Sequence, residues 1–474
     1  MPSLLMHAAA DSRASSAPAT AAASELGAFV HGLQLAQIPQ AIQQRARCCL
    51  LYGLGIGLLC TEETYARVAE NAFAAIDAEA ATGGATAWRS GRRFGVATAA
   101  ACNTVLMHSR CQEDTSGSAH LGIVIIPTAL ALVEAGLADA ADLLVGLVAG
   151  YEAAGALERC LGRRSTAQGS RASPLYGTLA GAATAARLLR LDPKQTVAAL
   201  ANAAAFAGGT LQAIGDGTDE WRYQMAGATR RGIEAAFLAR AGSLATPAAF
   251  DGPRGFAAVF ARGGIDAPLL AGQPWALQSV AFKAYPVCNR NQTVTALAVQ
   301  LHDELDLTRV ARIRFRINSF VEHGMLTRGP FESVAGTLMS TYFGCAAALA
   351  HGAVARPMLE AYGDRAIQAW IDRIEVTPDE TITYPSATAE VTLHDGTVRH
   401  AQMQRTFIDY ALPRNDVVAL LARLAQESGL PPAPVSELEH FAFAPAHPAI
   451  TPVLSAFAHV RTARQAHSKE TSPC

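Results

Sequence analysis

Thirteen residues at 108–120, His-Ser-Arg-Cys-Gln-Glu-Asp-Thr-Ser-Gly-Ser-Ala-His, gather hydrogen-bonding and titratable groups in a chain otherwise rich in alanine, leucine and glycine. His120 is the strongest candidate for chemistry. An imidazole with its ordinary pKa of about 6.5 can take or give a proton near neutral pH. It directly precedes Leu-Gly-Ile-Val-Ile-Ile-Pro-Thr, the start of a long apolar run, and so suits the floor of a pocket if that run is helical. Asp114 has the chemistry to orient that imidazole or to stabilise its cation. A purely structural reading stands beside this one. Asp, Thr and Ser are ordinary cap and loop residues, and a single His is often structural.

Composition bounds the partners. Of 474 residues, 50% are hydrophobic and 16% charged, enough for a large core and more than one domain. Thirty-eight basic residues against 40 acidic give a net charge of −2, so no nucleic-acid partner is expected. The nine cysteines (Cys48, Cys49, Cys60, Cys102, Cys111, Cys160, Cys288, Cys345 and Cys474) are scattered, with no Cys-x-x-Cys pair. That pattern suits a reduced, cytoplasmic protein and argues against a disulfide framework or a zinc site. No membrane span is expected: residues 50–60 are too short an apolar run, and 122–150 carry Pro127, Glu134, Asp139 and Asp142. Residues 1–24 lack a basic segment followed by an apolar core, and read as a disordered tail. Gly53–Leu59 fails as a dinucleotide fingerprint because Leu58 occupies the last glycine position. Phosphate-loop, HExxH and GxSxG motifs are missing from the sequence, so serine catalysis has no local support and no cofactor is called for.

Elements must hold these residues. Over 25–279, apolar residues recur at helical spacing, with breaks at Gly and Pro. The runs 178–189, 196–209 and 232–242 are apolar on several faces, which places them in the middle of a helical bundle. The texture changes near 280. A helix is expected at about 291–304, strands at 311–320 and 372–379, and helices at 331–351 and 355–368. Residues 387–406 are two alternating runs joined by Asp395-Gly396, a hairpin signal. The expected fold is mainly α: a large all-helical domain, 25–279, interrupted by a smaller α+β domain, 280–408. A helical segment at 409–450, with a helix over 416–429, returns to the first domain, and 451–474 reads as a second tail.

The ordered stretches, roughly 25–440, resemble the MmgE/PrpD family, which includes 2-methylcitrate dehydratase, cis-aconitate decarboxylase and iminodisuccinate epimerase. The resemblance rests on the order and spacing of several motifs. His108-Ser109, Glu113-Asp114-Thr115 and His120-Leu121 match the family's His-Ser, Asp-Asp-Thr and His-Pro. Residues 177–191 and 228–239 match two Ala-rich segments; Lys283-Ala284-Tyr285-Pro286, followed by Cys288, matches the motif opening the second domain; Asp395-Gly396 matches a late hairpin. The resemblance implies a homodimer of two-domain subunits, with the α+β domain acting as a lid over the helical one. It implies no metal or organic cofactor, small carboxylic-acid substrates, and reactions that begin at the carbon beside a carboxylate. Carried over residue by residue, the family's site falls on Asp114, Thr115, His120, Lys283 and Tyr342. In that scheme Lys283 grips a substrate carboxylate, Asp114 and Thr115 hold the hydrogen-bond register, and His120 and Tyr342 move protons on opposite sides.

Several positions depart from the family pattern. Cys111 replaces an acid, Arg171 a histidine and Trp221 a lysine, with Arg222 the lysine's counterpart if the register slips by one. Gln224 and Gln292 stand where histidines are usual. Arg171 cannot act as a base but can grip a carboxylate with two donors. Trp221 offers a flat apolar wall. Bland roles exist for each: Trp221 packing under Arg222, Arg171 paired with an acid, Cys111 inert. Thr115, Arg171, Trp221, Arg222, Cys111 and Gln292 are the candidate substrate contacts, and His120, Lys283, Tyr342 and Asp114 the candidate catalytic groups. The departures point away from a standard 2-methylcitrate dehydratase, toward a substrate with fewer carboxylates and more apolar surface. The expected function is a cofactor-independent lyase, a dehydratase or decarboxylase, using α-proton chemistry. An isomerase on the same scaffold and a non-catalytic binding protein are the alternatives.

Overall fold

A computed structural model describes residues 22–78, 83–445 and 449–470, with side chains as far as 464. Most of the tail expected at 1–24 therefore lies outside the described residues, while Ala22–Ser24 begin the helix Ala22–Gly32. The fold is mainly α, with a small α+β unit.

Small residues build the helical part. The helices Ala172–Leu188 and Glu220–Arg240 touch backbone to backbone, because a Cβ on Gly232 would lie 2.8 Å from the Thr178 carbonyl oxygen. The span Ala140–Ala167 is long and apolar enough to cross a membrane by length and composition, yet most of it is buried in the bundle. Its apolar faces are covered by Gly122–Glu134 and Ala172–Leu188, as befits a core helix apolar on all sides.

The lid carries a four-stranded sheet in the order Ile374–Asp379, Val310–Asn318, Ala387–Leu393, Val398–Met403. The first pair is parallel and the other two antiparallel. Period-two patterning decides its faces. Ile313, Phe315 and Ile317 turn inward, while Arg314 and Arg316 turn outward to Glu375 at 3.0 Å and Asp379 at 2.6 Å. The helices Gln292–Glu304 and Thr341–His351 cover the inner face.

Three expectations need correction. The helix expected over 331–351 is two, Val334–Met339 and Thr341–His351. Ser340 is extended between them, and its hydroxyl accepts the Phe343 N–H at 3.0 Å, a side-chain cap that starts the second helix. The helix expected over 355–368 is a single 3₁₀ turn, Arg356–Glu360, followed by Arg365–Ile371, which Asp364 caps. The tail expected at 451–474 is largely the helix Thr451–Glu470, preceded by Ala433–Phe443. Pro434 and Pro452 sit in the first turns of these helices, where a missing N–H costs nothing. The late helix is anchored by Phe457, whose ring lies 5.0 Å from that of Trp88, and by Arg461, which donates to the Trp88 carbonyl at 2.6 Å.

The polar loop after the helix Val96–His108 is tied down on every side. Thr115 and Ala281 exchange backbone hydrogen bonds of 2.9 and 2.8 Å, which joins the loop to the segment entering the lid. The Tyr52 hydroxyl accepts the Lys283 backbone N–H at 3.1 Å and donates to the Gln112 carbonyl. Glu158 accepts the Ser118 N–H at 2.8 Å, and Glu152 accepts those of Ala276 and Leu277 at 2.7 and 2.9 Å.

Burial raises both of these carboxyls from their ordinary 4.5 to about 7, against the pull of their backbone donors. Each holds its proton more tightly folded than unfolded. Their contribution to stability is therefore full below about pH 4.5 and lost as pH rises through about 7. Glu158→Gln keeps the acceptor oxygen and removes the titration. Thermal unfolding should show its midpoint at pH 8 raised by roughly 2 °C over the parent, with the difference vanishing at pH 4.

Candidate active site

Lys283 is fully buried, a costly place for an ammonium group unless an anion meets it. Glu113 meets it: Nζ lies 3.1 Å from Oε1 and also donates to the Cys111 carbonyl at 2.8 Å. Cys111 itself adopts a left-handed backbone, φ 57°. Two histidines complete the cluster. His120 Nε2 lies 3.3 Å from Glu113 Oε1, and His108 Nδ1 lies 3.3 Å from Oε2.

Hydrogen bonds fix the tautomers of both rings. His120 Nδ1 sits 2.8 Å from the Asp114 carbonyl oxygen, which can only accept, so Nδ1 carries the proton and Nε2 is left with its lone pair. His108 Nε2 lies 2.9 Å from Arg171 Nη2, which can only donate, so Nε2 accepts and Nδ1–H faces Glu113. Arg171 is held in turn by a hydrogen bond to the Trp221 carbonyl. The result is a chain of contacts, Arg171 to His108 to Glu113, ending on both Lys283 and His120.

The electrostatics follow. Burial, with the Lys283 cation adding to it, pushes His120 down to about 3, and burial pushes His108 down to about 4, so both are neutral at pH 7. Burial alone would raise Glu113, but Lys283 and the two histidines hold it well below the usual carboxylate range. Burial opposes the Lys283 charge, but the Glu113 carboxylate beside it outweighs that and raises its pKa above the ordinary value. Burial keeps Cys111 a thiol, 3.8 Å from the Lys283 nitrogen.

This cluster forms the inner end of a cavity of about 380 Å³ between the helical part and the lid. Cys111, Thr115, His120, Arg171, Trp221 and Lys283 line it. Thr115 Oγ1 and Trp221 Nε1 are buried there without a hydrogen-bond partner, and such orphan groups call for an explanation.

Four of the candidate residues stand outside the cavity. Tyr342 points into the lid, where its hydroxyl accepts the Val376 N–H at 3.1 Å, so it cannot face His120 across a substrate. Arg222 is buried beneath Tyr65, 3.6 Å from the ring centroid, with Asp219 at 3.4 Å. Gln292 clamps the crossing segment, accepting from Ala284 and donating to Val287. The Asp114 carboxylate accepts the Gly122 N–H at the head of a helix and the Tyr151 hydroxyl at 2.5 Å. Asp114 acts on His120 through its backbone, and burial raises its carboxyl to about 6. A Cβ on Gly122 would lie 2.6 Å from that carboxylate, which explains the glycine.

His108 and Glu113 were visible in the sequence but not singled out there. Among the described residues no group of three or more His, Cys, Asp and Glu side chains is placed to hold a metal ion. The Lys283 ammonium already occupies one oxygen of Glu113.

Comparison with known proteins places this architecture. The MmgE/PrpD N-terminal domain matches residues 24–267, and the MmgE/PrpD C-terminal domain matches residues 285–417. The chain belongs to the MmgE/PrpD family. Among its relatives are a cis-aconitate decarboxylase-like protein of Aspergillus oryzae, 30% identical over 251 residues, and the cis-aconitate decarboxylase of Homo sapiens, 30% identical over 272 residues. These alignments cover 51% and 54% of this chain and the same shares of the relatives, so the match spans about half the length of each. Lys283 lies in the short segment between the two MmgE/PrpD domains.

Removing one partner from a buried ion pair strands the other charge. Lys283→Met should destabilise the fold by about 3–5 kcal/mol. The double variant Lys283→Met/Glu113→Gln should recover most of that loss, as read from denaturant unfolding in a double-mutant cycle.

Proposed function

We propose that this MmgE/PrpD protein is a lyase that acts on a carboxylic acid at the carbon beside its carboxylate, with His120 as the base. One observation carries the reading. The Asp114 carbonyl holds the proton on Nδ1, which leaves a neutral Nε2 lone pair at a cavity that Lys283 and Arg171 also line.

The substrate carboxylate takes its place against Arg171 and Lys283, within reach of the Thr115 hydroxyl. Its negative charge offsets the Lys283 field that depresses His120, so the imidazole becomes more basic once substrate is bound. The α-proton moves to Nε2, and the electron pair of the broken C–H bond enters the carboxylate as an enolate. Fixed cations and donors stabilise that charge where water is scarce. The new imidazolium lies 3.3 Å from Glu113, which stabilises it. The electron pair then returns to form the carbon–carbon double bond, and the β-hydroxyl leaves, takes the imidazolium proton and departs as water. The names of the relatives favour a second course, decarboxylation. There the electrons of the breaking C–C bond stay on carbon, and an imidazolium protonates it. A neutral His120 starts as a base, which suits the first course. The isomerase alternative needs a proton carrier on the opposite wall, and Tyr342 is not there to serve it.

The test is transfer of solvent deuterium to the α-carbon, measured by mass spectrometry alongside release of water or carbon dioxide across a panel of carboxylic acids. His120→Asn should lower turnover by about 10²–10⁴-fold. Undiminished turnover in that variant would defeat the reading. The pH profile provides a second check. Because His120 in the free enzyme titrates at about 3, kcat/KM should stay level from pH 5 to pH 8 instead of falling below 6.5 as for an ordinary imidazole base.

A further inference from the structure

The cavity has two unlike ends. At the inner end Lys283 pairs with Glu113, and Arg171 is linked to that carboxylate only through His108, so two cations and one carboxylate leave a single positive charge. Arg290 also lines the cavity, where the Glu322 carboxylate balances its charge. Its Nε lies 2.8 Å from Glu322, and its guanidinium is 4.1 Å from the Phe320 ring and 5.0 Å from the Tyr384 ring. Arg163 reaches the rim from an exposed position, where its charge stays in water. One carboxylate is therefore neutralised inside. A second or third, buried without a partner, would carry a large desolvation penalty.

Away from that cluster much of the lining is apolar: Leu211, Ile214, Phe320, Met339, Tyr384 and Phe407, with the mutually neutralised Arg290 and Glu322 among the rings. Tyr384 and Phe407 meet edge to face, with ring centroids 5.3 Å apart. The Tyr384 hydroxyl accepts from the Asn289 side chain at 2.8 Å, so its polar tip is satisfied and its ring is left as surface. A neighbouring cavity of about 210 Å³ shares Leu211, Ile214 and Phe320 and extends this side. The main cavity, about 380 Å³, falls in the range that encloses a whole drug-sized ligand.

Building on the lyase reading above, we infer that the outer chamber is a subsite for an apolar tail, and that the substrate is a monocarboxylic acid bearing an aryl or alkyl group. Its carboxylate lies on Arg171 and Lys283, and its tail lies between Ile214 and the rings of Phe320, Tyr384 and Phe407. Trp221 borders the bound acid as a flat wall.

Calorimetric titration of the full chain with hydrocinnamate, hexanoate, propanoate, glutarate and tricarballylate tests this. Hydrocinnamate and hexanoate should bind at least about tenfold more tightly than propanoate, glutarate or tricarballylate, since burial of a tail of that size supplies such a factor. Ile214→Glu should lower hydrocinnamate affinity about tenfold while leaving propanoate within about twofold. Phe320→Ala, on a residue 38% exposed, is the second variant if the first fails to fold, with the same split expected at about fivefold. Tighter binding of glutarate or tricarballylate, or no binding of either tailed acid, overturns the inference. So does an equal loss of hydrocinnamate and propanoate in the variants. The two proposals separate cleanly. Tailed acids that bind but show no α-deuterium exchange would leave the subsite standing and reject the catalytic reading; turnover of a tricarboxylate alone would do the reverse.

Discussion

A buried ammonium and a buried carboxylate, Lys283 and Glu113, hold this site in place. Neither is tolerable alone in a dry interior. Because Lys283 sits on the segment leading into the lid and Glu113 on a loop of the helical part, their contact fixes how the two parts meet. The backbone pairing of Thr115 with Ala281 and the Tyr52 hydroxyl shared by both segments set the register within which the pair can form. The cavity exists at this seam and nowhere within either part alone.

That pair also governs the proton chemistry around it. Glu113 gathers two imidazoles, and burial, with the Lys283 cation adding to it, keeps His120 neutral. Arg171 does not touch Glu113. It fixes the tautomer of His108, and His108 turns its N–H toward the carboxylate. An arginine there is a permanent cation rather than a titrating group, and it lines the cavity beside Trp221, whose carbonyl holds it.

Much of the scaffold could be read from periodicity. Alternation in Ala311–Phe320 gave the central strand of the lid because every second residue faces a packed surface. Asp395-Gly396 marked its hairpin, with Gly396 at φ 83°. The tail expected at 451–474 is instead largely helical, and a proline in its first turn is compatible with that helix. The site was harder to resolve. The loop 109–121 has no period, so nothing in its order tells which of its polar side chains face inward. Glu113 proved central and Asp114 peripheral, though they are neighbours of the same charge. The order of the residues also gave no sign that Tyr342 hydrogen-bonds within the lid.

The sequence by itself determined the family, the division between helices and sheet, and the loop where the polar groups collect, because local periodicity and motif order are properties of contiguous residues. The tertiary structure decided which of those groups share a cavity, which imidazole nitrogen carries the proton, and how many charges line that cavity. Those outcomes depend on contacts between segments as distant as 113 and 283, and on the burial that such contacts create.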